Sequence, residues 1–124
     1  MSDNNNGFNN TGDLVISEDV IATIAINSIK DIEGISGFAQ KPVGFDSFFN
    51  NSEQANKSVR MVIKDNDVKI HIFVNLLAGY KIPTVAEKIQ TSVKDAIQNM
   101  TGKIVSKVDV TVVNIDFSEP NDDE

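Results

Sequence analysis

Two stretches of the chain repeat their apolar residues at helical spacing. The first, over residues 18–32, follows a capping residue, Ser17, and precedes Gly34, which stands where a C-terminal cap belongs. Its apolar stripe consists of Ile21, Ile24, Ala25, Ser28, Ile29 and Ile32. The second lies between Pro83 and Gly102, and its stripe consists of Val85, Ile89, Val93, Ala96, Ile97 and Met100. The spacing predicts two amphipathic helices, each with one buried face.

Alternating apolar and polar residues predict a β-hairpin in the middle of the chain. Its strands cover residues 59–63 and 68–74, and the turn-forming sequence Asp-Asn-Asp at 65–67 separates them. The alternation assigns one set of side chains to the buried face: Val68, Ile70, Ile72 and Val74. It turns the set between them to the opposite face: Lys69, His71 and Phe73.

Shorter apolar runs predict further strands on both sides of the hairpin. One covers residues 14–16, a strand or extended connection covers 35–40, and a last strand covers 103–115. The resulting order is strand, helix, two or three strands, helix, strand. This β-α-β-β-α-β-like order predicts an α+β fold, with a mixed or antiparallel sheet of about four strands and two helices on one face.

The two ends differ in composition from the body. Residues 1–11 are rich in Asn and residues 118–124 are acidic, so both are predicted to be disordered tails around one domain at 12–117. Seven of the 18 acidic residues lie in 1–13 and 116–124, which leaves 11 acidic residues against 11 Lys and Arg. A neutral body argues against a general nucleic-acid binder.

Composition also limits the compartment and the chemistry. Without cysteine, neither a disulfide framework nor a thiolate metal site is available. The N-terminus has no basic residue and no apolar run, unlike a signal peptide, and no stretch approaches the roughly 20 apolar residues of a membrane helix. These features predict a soluble, cytoplasmic protein.

No residue pattern indicates catalysis, a metal or a cofactor. His71 is the one histidine, and no nucleophile or carboxylate is identifiable beside it, so we interpret it as a surface side chain. The acidic turn at 65–67 lacks the Gly and Glu of a calcium loop, since Ile70 and Leu76 stand at those positions. We therefore expect a protein that is not an enzyme.

The loop over residues 41–57 holds three aromatic side chains at one-face helical spacing: Phe45, Phe48 and Phe49. They either pack onto the core or the sheet, or form an exposed cluster for a partner or a second copy. Together with the outward-facing hairpin residues Lys69, His71 and Phe73, they are the candidate protein-interaction residues.

The stretch Gly34–Gly37 matches the Gly-x-x-Gly of KH nucleic-acid modules. No Lys or Arg lies between Lys30 and Lys41, and a helix end followed by a turn explains both glycines. The stretch supports an alternative hypothesis, an RNA- or ligand-binding regulatory module.

Two groups of short sequence elements bracket the hairpin. The first comprises residues 12–25 (GDLVISEDVIATIA) and 32–37 (IEGISG). The second comprises 78–90 (AGYKIPTVAEKIQ), 100–102 (MTG) and 108–112 (VDVTV). Together they resemble the alkaline shock protein family of bacterial general-stress proteins, over about residues 12–117. Residues 42–57 depart from the family pattern, and Ser58 stands where relatives usually have Gly.

The resemblance implies a non-enzymatic protein, found mainly in Gram-positive bacteria and tied to cell-envelope stress or homeostasis. Some members self-assemble and are held at the membrane by a separate anchoring protein, and others are linked to fatty-acid metabolism. The family offers no catalytic residues. We therefore expect an assembly or adaptor protein that associates with itself, and with the membrane only through an anchored partner.

Overall fold

The computed structural model describes residues 12–39 and 58–117. In chain order the elements are α1 (Glu18–Ile29), β1 (Ile35–Phe38), β2 (Val59–Lys64), β3 (Asp67–Leu77), α2 (Ile82–Thr101) and β4 (Ile104–Asp116). The predicted α+β class is confirmed. The strand predicted over 14–16 is wrong, because these residues pair with no strand in the described ranges, and Leu14 and Val15 are 82% and 85% exposed.

The longer of the two hairpin strands, β3, lies at the centre of a four-stranded mixed sheet. β1 and β2 both pair with it in antiparallel orientation, one beyond the other along the same side. β4 pairs with its other side in parallel orientation. A parallel pair requires a long crossover connection, and α2 supplies it. Within the described residues β4 pairs only with β3, so it forms an edge of the sheet.

Both helices cover one face of the sheet and enclose the core. The core side chains from the helices are Ile21, Ala22, Ile24, Ala25, Ile29, Val85, Ile89, Val93 and Ile97. Those from the strands are Val59, Val68, Ile70, Ile72, Val74, Leu76 and Val105. The buried faces therefore follow the predicted apolar pattern, with one clear exception: Met100, at the end of the second stripe, is 71% exposed.

The helix ends are fixed by local hydrogen bonds. The Val20 amide donates to Ser17 Oγ at 3.2 Å, which confirms Ser17 as the N-cap of α1. Gly102 adopts the left-handed conformation (φ 78°) and its amide donates to the Gln98 carbonyl, which closes α2.

Gly34 was predicted as a helix cap, and the structure gives it another role. α1 already ends at Ile29, with Lys30 as its C-cap. Gly34 has φ 101°, and a Cβ there would lie 2.9 Å from Val85 Cγ2 and 3.0 Å from Tyr80 Cγ. Only glycine permits this close contact between the turn into β1 and the start of α2.

Candidate interaction surface

The face of the sheet opposite the helices is here called the open face, because no helix in the described residues covers it. β3 contributes Lys69, His71 and Phe73 to this face, as the alternation predicted. The register places further side chains beside them: Arg60 and Val62 from β2, and Lys107, Asp109 and Thr111 from β4.

An aromatic pair lies at the centre of the open face. The rings of His71 and Phe73 stack, with centroids 4.5 Å apart and planes 8° apart. His71 Nε2 lies 2.6 Å from Thr111 Oγ1, within hydrogen-bonding distance. Phe73 is only 3% exposed. His71 is therefore a partly buried side chain held by two neighbours, rather than the free surface histidine that we expected.

Two ion pairs lie beside the aromatic pair, at its His71 end, where Lys69 and Lys107 are neighbours across the β3–β4 ladder. Lys69 Nζ lies 3.0 Å from Asp67 Oδ2, and Lys107 Nζ lies 3.7 Å from Asp109 Oδ2. Asp67 Oδ2 also accepts a hydrogen bond from Ser106 Oγ at 3.0 Å. The bonds from Lys69 and Ser106 hold the pKa of the Asp67 carboxyl below its ordinary value. Exposed pairs of this kind contribute little to stability, so their main effect is on the distribution of charge over this face.

A shallow depression runs between β2 and β4 on the open face. Its lining residues are Arg60, Met61, Val62, Lys69, Ile70, His71, Lys107 and Asp109. Three of them are basic and one is acidic, and the remainder are apolar apart from the histidine. Nowhere in the described part of the chain do three or more His, Asp or Glu side chains form a group suited to a metal ion. Because the side chains of Met61 and Ile70 pack into the core on the other face, the open-face side chains of the depression are mainly basic.

Sequence reasoning found the row of candidates on β3 but missed their neighbours. Lys107, Asp109 and Thr111 reach this face through the parallel pairing of β4, whose register shifts between Val68 and Lys69 and again between Val74 and Asn75. No local pattern encodes such shifts. The alternation of Val108, Val110 and Val112 along this strand is the available signal, because it implies that the residues between them share one face.

The other candidate residues divide into two groups. Phe45, Phe48 and Phe49 lie outside the described residues, as do both predicted tails. The Gly34–Gly37 stretch is described and forms no exposed loop. Gly34 is buried against Tyr80 and Val85, and Gly37 pairs with Asn75 within the sheet. The packing accounts for Gly34, whereas a Cβ at Gly37 would meet open space. The nucleic-acid alternative stays a prediction.

Comparison with known proteins places this fold in a family. The model of a family with a cell envelope-related function, the alkaline shock proteins, matches residues 6–117. The chain belongs to the alkaline shock protein family. The resemblance read from the short sequence elements is therefore confirmed. No helix in the described residues of this family member is long and apolar enough to cross a membrane.

Individual relatives in this family match most of the chain. The uncharacterised protein Spy1614 of Streptococcus pyogenes is 32% identical over 106 residues, which cover 84% of this chain and 88% of the relative. The uncharacterised protein YloU of Bacillus subtilis is 30% identical over 111 residues, covering 88% and 92%. Among solved structures, a copper form of the MamM C-terminal domain aligns at 10% identity with a TM-score of 0.48, covering 79% of this chain and 98% of that chain. That likeness is too distant to inform function.

Proposed function

We propose that this chain is a non-enzymatic assembly and adaptor protein of the cell envelope. It associates with copies of itself and docks on a membrane-anchored protein, and it reaches the membrane only through that partner. Membership of a family with a cell envelope-related function supports the setting. The adaptor role rests on the open face.

The observation that carries the proposal is the fixed aromatic pair with two neighbouring lysines, Lys69 and Lys107, at its His71 end. Protein interfaces favour aromatic anchors surrounded by polar and charged groups. Here the stack with Phe73 and the contact with Thr111 hold the His71 ring in one orientation. A side chain that is already ordered loses little conformational entropy on binding, so the surface is suited to docking.

The same contacts favour a binding role over a catalytic one. A catalytic histidine needs an orienting group on one ring nitrogen and a nucleophile or substrate at the other. In the described residues the His71 ring contacts a threonine hydroxyl and a phenylalanine ring. Neither contact supplies the orienting carboxylate, which supports the non-enzymatic proposal.

Charge reversal on the open face tests the adaptor role. The variant carries Lys69→Glu and Lys107→Glu, and the matched control carries Lys88→Glu and Lys94→Glu on the exposed side of α2. Both change the net charge equally. We expect wild type and control to retain the same protein from detergent-solubilised membranes of the native cell, and the open-face variant to lose it, as measured by quantitative mass spectrometry. Equal capture by both variants would contradict the proposal.

Self-association is a separate part of the proposal and has its own measurement. Sedimentation velocity of the wild type over a range of concentrations should show species larger than the monomer. A protein that stays monomeric at every concentration would remove the assembly function and leave only the adaptor role.

A further inference from the structure

The outer edge of β4 is closed along its first half by two glutamines of α2. The amide of Val105 donates to Gln98 Oε1 at 3.0 Å. Gln90 Nε2 donates to the carbonyl of Val108 at 3.2 Å. Sheet edges expose backbone groups that template pairing with another strand unless something covers them. These two side chains supply that cover at the start of the strand.

Beyond Val108 no described residue covers the edge. In a parallel ladder the amide and carbonyl of one residue point to the same side, and successive residues alternate. Because the Val108 carbonyl points outward, the backbone groups of Val110 and Val112 also point outward. Residues 110–115 (VTVVNI) contain no charge and no proline, and Val113 is 47% exposed. Charged residues, prolines and β-bulges usually protect an edge strand from pairing with another chain. Of these, this half of the edge has only the register shift beside Val113.

The chain also has a strand-forming segment without a partner. Leu14, Val15 and Ile16 have the composition of a strand, yet they pair with none in the described ranges. Ile16 packs partly against the core, which anchors the segment, while Leu14 and Val15 are almost fully exposed. Pairing of this segment with another strand would remove the apolar surface of these two side chains from water.

The segment and the free edge lie on different sides of the molecule. α2 packs against both α1 and β4, so it lies between them. Residues 12–17 lead directly into α1, whereas residues 110–115 lie beyond α2. Pairing between the segment and the edge therefore joins two copies of the chain more readily than it folds one copy onto itself.

We propose that residues 12–17 of one copy add as a strand to the outer edge of β4, at residues 110–115, in a second copy. This inference rests on the proposed self-association and names its two surfaces. Backbone hydrogen bonds would provide affinity, and the exposed side chains of Leu14 and Val15 would be buried against the second copy. Because each copy carries one donor segment and one acceptor edge, the contact is heterologous, and it forms a ring if the rotation between copies closes and an open chain if it does not.

Two complementary variants test the pairing. Val15→Asp places a charge in the donor segment and leaves the edge unchanged. Val113→Lys places a charge on the edge and leaves the donor segment unchanged. Both positions are exposed, so each variant should keep the wild-type melting temperature within a few degrees. By sedimentation velocity, we expect each variant alone to associate at least about ten-fold more weakly than wild type. An equimolar mixture should form a two-chain complex, because one donor and one edge remain functional.

Each other outcome overturns the inference in a recognisable way. If Val15→Asp associates normally and Val113→Lys does not, the edges of β4 pair with each other. If both variants associate like wild type, self-association survives and uses another surface. If neither variant associates and the mixture also stays monomeric, the two surfaces do not meet. A monomeric wild type overturns this inference together with the proposed self-association.

Discussion

The two faces of β3 show how one strand serves both the fold and the surface. Ile70, Ile72 and Val74 are buried beneath the helices, and they alternate with the open-face residues Lys69 and His71. Substitutions on the first face act mainly on stability, whereas the second face is available for recognition. Phe73 crosses this division, because it faces away from the helices and is nevertheless buried. Among these residues, only Phe73 departs from the division into a buried helix-side face and an exposed open face.

The largest effect should come from truncating the buried residues on both faces. Ile72→Ala should cost about 2–5 kcal/mol and Phe73→Ala about 3–5 kcal/mol of unfolding free energy, because each leaves a cavity. Val62→Ala, at an exposed position of the open face, serves as the control and should cost less than about 1 kcal/mol. Urea unfolding measures all three. If Phe73→Ala lowered the unfolding free energy no more than Val62→Ala, the side chains of the open face would contribute little to stability.

A smaller loss of stability is expected at the contact between the turn into β1 and the start of α2. Gly34→Ala introduces a Cβ against Val85 and Tyr80, while Gly79→Ala meets open space at a similar φ of 99°. Both substitutions carry backbone strain of about 1–3 kcal/mol. Only Gly34→Ala adds a steric clash, so it should lower the free energy of unfolding further than its control. Equal losses would show that Val85 and Tyr80 move aside at little cost to accommodate the added methyl group.

The smallest effect concerns the charges that border the open face. Because the folded-state pKa of Asp67 is lowered, its carboxylate adds stability above the unfolded-state pKa, and this contribution is lost as the pH falls through the folded-state pKa. Asp67→Asn should therefore lower the urea midpoint slightly at neutral pH. The difference from wild type should shrink as the pH falls below the unfolded-state pKa of Asp67 and vanish once the pH is below the folded-state pKa. A difference that persists in acid would indicate that the side chain acts by packing or neutral hydrogen bonding.

The sequence predicted what local periodicity can encode. The helical stripes, the hairpin and the direction of the Lys69, His71 and Phe73 side chains all follow from spacing, and the structure confirms them. The apolar run at 14–16 was misassigned because strand propensity does not supply a pairing partner. The neighbours of His71 could not be assigned either, since the register between β3 and β4 depends on the path of α2.

The structure describes only some of the interaction residues that the sequence predicted. Lys69 and His71 lie on one surface, and Phe73 is buried beside them on the same face. The proposed role of these three residues in binding stays a prediction. Phe45, Phe48 and Phe49 also remain predicted interaction residues. The free half of the β4 edge had no signal in the sequence, because its exposure depends on how far the glutamines of α2 extend along it.

The pairing of β1 and β2 with the same side of β3 has a consequence for how this chain can diverge. Phe38 pairs with Val74 and Val59 pairs with Ile72, so the chain leaves the sheet and rejoins it only two residues apart along β3, or about 7 Å. The two short strands lie end to end along the same side of β3. Because the entropic cost of closing a loop grows slowly with its length, this position can accept insertions and deletions while the sheet keeps its register. It is a natural site for relatives on a shared scaffold to acquire different sequences and different partners.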